Sequence, residues 1–164
     1  MLFKKIKPHR NIDHIEKRNY YVVPKKITMT KEYLNQLTYK IIGATIEVHK
    51  SIGPGLLEKI YHRCLSQEFF LQGIKFQSEL NIPINYKGSK LSADLRCDFL
   101  VEDAIVLEIK ASLTMLPVFD AQIISYMKLL KVPKGILINF QSDNIFNNGQ
   151  KTFVNEIFSA LPDR

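Results

Sequence analysis

The segment Arg96-Cys97-Asp98-Phe99-Leu100-Val101-Glu102-Asp103-Ala104-Ile105-Val106-Leu107-Glu108-Ile109-Lys110-Ala111 decides the fold. Two apolar runs flank Glu102-Asp103, a strand–turn–strand pattern that predicts a β-hairpin. Successive side chains of a strand point to opposite faces. Ile105, Leu107 and Ile109 therefore share one face, and Val106, Glu108 and Lys110 the other. In the first strand Leu91, Ala93, Leu95, Cys97, Phe99 and Val101 share one parity, with Asp94, Arg96 and Asp98 on the opposite one. The hairpin is expected to have a dry side and a side that gathers Asp98, Glu108 and Lys110.

Carboxylates and an ammonium inside an apolar run are costly to bury unpaired. One reading makes them neighbours on a solvated strand face, joined by weak ion pairs. The other is a metal site, because a divalent cation removes the repulsion between two close carboxylates and takes their hard oxygens as ligands. The backbone carbonyl of Ile109 is a candidate third ligand. Lys110 would then lie beside a bound water or a phosphate. Arg96 either contacts an adjacent phosphate or pairs with Asp94 or Asp98. Cys97, on the apolar parity, is expected to be a buried thiol.

The chain has 164 residues, enough for one domain with a sizeable core. No apolar run approaches the roughly 18 residues of a membrane span, and Met1-Leu2-Phe3-Lys4-Lys5-Ile6-Lys7 lacks the apolar centre of a signal peptide. Cys64 and Cys97 have neither a disulfide-framework pattern nor metal-ligand spacing. A reducing, cytoplasmic setting is expected, with no membrane association. Residues 1–31 hold nine Lys/Arg against two acids, whereas residues 32–164 hold fourteen of each. Residues 1–30 are thus expected to be a basic N-terminal extension, either gripping phosphates or serving as a solvated leader, with the domain proper over 31–164.

From Thr28 or Thr30 as N-cap, Leu34, Leu37, Ile41, Ala44, Val48 and Ile52 recur at helical spacing, predicting a helix over 31–51. Gly53-Pro54-Gly55 breaks it, and a second helix is expected over Leu56–Gln72 with Gly73 after its end. Phe76–Tyr86 reads as a strand that Pro83 places at an edge. Lys87-Gly88-Ser89 turns into the strand beginning near Lys90. Pro117 opens a third helix over Val118–Leu130, with Gln122 and Tyr126 neighbours on its surface. Gly135–Phe140 is a buried strand, expected to run parallel to the Glu108 strand. The tail, with Phe153, Val154, Ile157 and Phe158, reads equally as edge strand or helix. His49 and His62 read as surface helix histidines, Tyr61 as core, and Glu58 as a first-turn acid. The pattern is an α/β domain with a mixed β-sheet flanked by helices.

Gly55-Leu56-Leu57-Glu58-Lys59-Ile60-Tyr61 matches the signature Gly-x-x-Glu-x-x-Tyr, and on it the chain resembles the GxxExxY family, which is similar to the PD-(D/E)XK nuclease superfamily. The resemblance runs in order through Thr38–Ala44, Val48-His49-Lys50, Arg96-x-Asp98, Glu108-x-Lys110, Gln122-x-x-x-Tyr126 and Gly135–Phe140. Cys97 stands where the superfamily's name has Pro. The resemblance implies a restriction-endonuclease-like core in which Asp98, Glu108 and Glu58 bind Mg²⁺ or Mn²⁺ and Lys110 acts in catalysis. Gln122 would border the site, with Arg96, Tyr126 and Tyr61 as substrate contacts. The implied activity is metal-dependent hydrolysis of nucleic-acid phosphodiesters, with DNA the expected substrate. The alternative is a catalytically silent nucleic-acid- or partner-binding module on the same fold. A homodimer or a partner protein remains open.

Overall fold

A computed structural model of the chain describes residues 28–91 and 95–164. Most of the basic extension, residues 1–27, and Asp94 lie outside the described residues. Thr30, not Thr28, caps α1 (Lys31–Ile52), its hydroxyl accepting from the Tyr33 amide at 3.1 Å. Leu34, Leu37, Ile41, Ala44 and Val48 are buried along one stripe of that helix, as their spacing predicts. The next helix, α2 (Glu58–Leu71), starts two residues later than expected. The Tyr61 hydroxyl is the reason. It donates to the Gly53 carbonyl at 2.7 Å and accepts from the Leu56 amide at 3.1 Å, tying the Gly53–Leu56 turn down outside the helix.

Two expected long strands are each broken. In place of Phe76–Tyr86 and Lys90–Val101 the chain forms β1 (Phe76–Asn81), β2 (Ile84–Tyr86), β3 (Ser89–Leu91) and β4 (Arg96–Val101). Pro83 cannot donate to a ladder. Just before it Ile82 turns into the core, and its amide bonds the Leu95 carbonyl at 2.7 Å. β2 and β3 leave the main sheet as a separate two-stranded ribbon. Glu102 and Asp103 both take positive φ, 50° and 53°, and with Ala104 form the three-residue connection from Val101 of β4 to its partner Ile105, the first residue of β5 (Ile105–Lys110).

Next come α3 (Pro117–Leu130), β6 (Lys134–Asn139), α4 (Ile145–Asn148), β7 (Gln150–Val154) and α5 (Glu156–Ser159). The tail thus contains both an edge strand and a helical turn. The main sheet has the order β1-β4-β5-β6-β7. β5 and β6 are parallel, joined across α3, and every other pair is antiparallel.

Both faces of the sheet are covered. Phe99, Val101, Ile105, Leu107 and Ile109 pack against Leu34, Ile41, Tyr61, Leu65 and Phe69 of α1 and α2. Leu100, Val106 and Leu137 pack against Ile123, Tyr126 and Met127 of α3. The expected wet side of the hairpin is therefore dry as well, since α3 crosses over it. At Gly135 an added Cβ would sit 2.8 Å from the Met127 sulfur, so this glycine lets α3 approach β6 closely. A mixed sheet sandwiched between α1/α2 and α3 is a restriction-endonuclease-like architecture. Among the described residues no helix is long and apolar enough to cross a membrane.

Candidate active site

The side-chain alternation of β4 fails at Asp98. Cys97 packs in the cluster on the α3 side and Phe99 in the one on the α1/α2 side, although both fall on the same parity. Strand β1 is distorted at the same level. Ser78 pairs with Phe99 and Leu80 with Cys97, while Glu79 between them adopts a left-handed φ of 51°. On the other flank, β4 and β5 pair from Val101–Ile105 to Phe99–Leu107, and the ladder stops one residue short of Asp98 and Glu108.

At that level the side chains supply the hydrogen bonds between the strands. Glu108 Oε1 accepts from the Asp98 amide at 3.1 Å, and Asp98 Oδ2 accepts from the Ile109 amide at 2.8 Å. The Lys110 ammonium donates to Glu108 Oε2 at 3.2 Å. The hairpin therefore brings Asp98, Glu108 and Lys110 together. Because the Ile109 amide faces β4, strand geometry turns its carbonyl to that side too.

The electrostatics follow from burial. Glu108 is 2% exposed. Desolvation, then the neighbouring Asp98 carboxylate, push it up to about 7 against the pull of Lys110. Asp98 is also raised by desolvation, opposed by the Ile109 amide and by Lys110. For Lys110 burial acts downwards, but Glu108, Asp98 and Glu58 outweigh it and hold the ammonium above its usual range. The Cys97 thiol, buried beside both acids, is pushed up to about 12 and stays protonated.

A cleft of about 330 Å³ opens from Asp98 and Ile109 towards α2. Glu58 lines it, raised by desolvation and by Asp98 and lowered by Lys110 and the Ala111 amide. Lys59, His62 and Arg63 line it from the same helix. Their spacing from Glu58, one and four to five residues along a helix whose opposite stripe is Tyr61 and Leu65, is the signal that would have found them. His62 is half-buried, contrary to expectation. Its ring stacks on Phe99 at 4.3 Å and its Nε2 lies 3.3 Å from the Asp98 carbonyl. His49 is also half-buried, with Nε2 2.9 Å from the Ser142 carbonyl. Arg96 does not pair with Asp98. Its guanidinium meets Glu79 at 3.3 Å, a partner created by the β1 distortion and invisible in the sequence.

Two expected substrate contacts are buried. Tyr61 is wholly inside, stacked on Phe140 at 4.4 Å with its hydroxyl committed to the Gly53–Leu56 turn. It braces that turn and has no exposed surface for a substrate. Tyr126 is 3% exposed, its hydroxyl accepting from Gln122 at 2.8 Å. It orients Gln122 from below.

Among the described residues no group of three His, Cys, Asp or Glu side chains forms a ready-made metal cage. The structure thus does not join Glu58 to Asp98 and Glu108 as a three-carboxylate set. The donor types present, the Asp98 and Glu108 carboxylates and the Ile109 carbonyl, are the hard oxygens that Mg²⁺ or Mn²⁺ takes. Mg²⁺ is commonly held by one or two carboxylates and keeps several waters.

Fold and site together define an α/β protein of the restriction-endonuclease-like class, with an acid–acid–lysine group on its central hairpin. The family model of the PD-(D/E)XK nuclease superfamily matches residues 35–152, and the chain belongs to that superfamily. No curated protein and no solved structure matches the chain significantly.

Proposed function

We propose that this protein is a metal-dependent nuclease that hydrolyses phosphodiester bonds of nucleic acid, with DNA as the favoured substrate, and that within its superfamily it is of the GxxExxY type. The observation that carries the reading is the interlock of Asp98 and Glu108 across β4 and β5, Glu108 Oε1 accepting from the Asp98 amide and Asp98 Oδ2 from the Ile109 amide, with Lys110 3.2 Å from Glu108. Two like charges held this close are unfavourable in an empty protein, whereas a cation between them removes the penalty. Membership of a nuclease superfamily supports the same chemistry.

Asp98, Glu108 and the Ile109 carbonyl would hold Mg²⁺ or Mn²⁺. When bound, such an ion lowers the pKa of water and polarises a phosphoryl oxygen. The protein's own groups supply the rest. Lys110 offers a fixed positive charge and N–H donors where negative charge develops on the phosphorane-like transition state. Lys59 and Arg63 stand exposed along the cleft to receive flanking phosphates, and Arg96 can exchange Glu79 for a phosphate at little cost. Gln122, held by Tyr126, would border the site from α3. Glu58, which lines the cleft, would accept a hydrogen bond from a water there.

The test is incubation of the full chain with single-stranded, duplex and branched DNA and with RNA, with and without Mg²⁺ or Mn²⁺. Cleavage that requires the ion and is lost in Lys110→Ala is expected. A metal-induced rise in melting temperature without cleavage of any substrate would replace this reading with the silent binding module. No metal response at all would remove the metal site.

A further inference from the structure

An unassigned cavity runs between α1 and the β6–β7 edge of the sheet, with Lys134 at one end and Gln150, level with Ile138, towards the other. Lys110 is level with Asn139 at one end of the β5–β6 pair, and Ile105 with Lys134 at the other, about 16 Å away at ~3.3 Å per residue. The cavity is about 570 Å³, within the usual range for small-molecule sites. Lys134 lines it and is 4% exposed. Its ammonium donates to Asn35 Oδ1 at 2.8 Å and lies 5.3 Å from the centre of the Phe158 ring. Neither partner carries a negative charge, and no carboxylate lies within salt-bridge distance among the described residues. A buried cation without a counter-ion is an expensive arrangement, reflected in the downward shift of Lys134 by desolvation.

The walls add a second, independent observation. Tyr39 and Phe146 flank the cavity yet are 76% and 58% exposed. Ile42 and Ile46 of α1 provide further apolar lining, with Thr38 as a polar group. Gly43 sits on the cavity side of α1, and a Cβ added there would meet nothing within 4 Å. Glycine in a helix interior costs about 1 kcal/mol relative to alanine, and here it leaves open space where a side chain would fit.

We propose that this cavity is a binding site for a small amphipathic carboxylic acid, its carboxylate on the Lys134 ammonium and its apolar body between Tyr39, Ile42, Ile46 and Phe146. The carboxylate supplies the missing counter-charge and the walls lose exposed apolar surface. The site is separate from the nuclease cleft and independent of that reading.

The test uses the full chain, circular-dichroism melting, and three eight-carbon probes: sodium octanoate, 1-octanol and octylamine. Octanoate should raise the melting temperature saturably, by about 3 °C at roughly five times its dissociation constant, with a smaller effect of octanol and none of octylamine. Lys134→Met, which keeps the apolar stem and removes the charge, should abolish the octanoate shift. Gly43→Leu, whose Cβ meets nothing within 4 Å and whose side chain would occupy the α1 side of the cavity, should abolish it as well while the unliganded protein melts no lower. An octanol shift equal to that of octanoate, a shift that survives in either variant, or no saturable shift would overturn the proposal.

Discussion

Glu108 is a carboxyl group that burial, and then the neighbouring Asp98, push up from the ordinary range. Its folded value of about 7 lies above the ordinary 4.5, so between these values the native state binds a proton that the unfolded chain has released. Stability without metal should therefore be greatest below that window and fall as pH rises through it, then level off. Asp98 is raised too and contributes in the same direction. Denaturant titrations from pH 4 to 8 check this, and Glu108→Gln should flatten the slope. Added Mg²⁺ should raise the melting temperature more at pH 8 than at pH 5, because the ion then need not displace a proton. Lys110→Ala should lower the metal-dependent cleavage rate by about 10²–10³-fold. The variant should still bind the ion, as read by the melting shift.

In the elements, the prediction falls on the turn before α2 and on the packing of α3. Tyr61→Phe deletes a hydroxyl that holds both the Gly53 carbonyl and the Leu56 amide. It should cost about 1–3 kcal/mol of unfolding free energy in urea. Gly135→Ala should cost about 1–3 kcal/mol by crowding Met127, and Met127→Ala in the same chain should recover part of the crowding. Helices α1, α2 and α3, the hairpin and the parallel β6 are legible in the sequence because period, caps and turn residues agree there. The Asp98–Glu108–Lys110 group is legible because it interrupts an apolar run. What stays hidden depends on contacts distant in sequence. The left-handed Glu79, its pairing with Arg96 and the broken parity at Asp98 arise only when β1 lies against β4. The burial of Tyr126 likewise depends on how α3 crosses the sheet, and the detachment of β2–β3 on Ile82 entering the core.

For the whole chain, charge is segregated. Nine of the basic side chains fall in residues 1–31, and the remainder is balanced. If the extension grips phosphates, a chain beginning at Thr28 should lose most of its affinity for DNA at low salt. The slope of log affinity against log salt should become shallower, while the metal-induced melting shift is unchanged. The folded body has its own consequence for such experiments. Asp98 and Glu108 are mortar between β4 and β5 as well as the proposed seat of chemistry, since the hairpin is stitched there through their oxygens. Truncation to alanine would open that seam, so lost activity would be confounded with a loosened sheet. Asparagine and glutamine keep an acceptor oxygen in the same place. On the proposed function, Asp98→Asn is thus the natural inert decoy, sound in its masonry yet stripped of one of the charges that would hold a hard cation, with which to capture an uncut substrate.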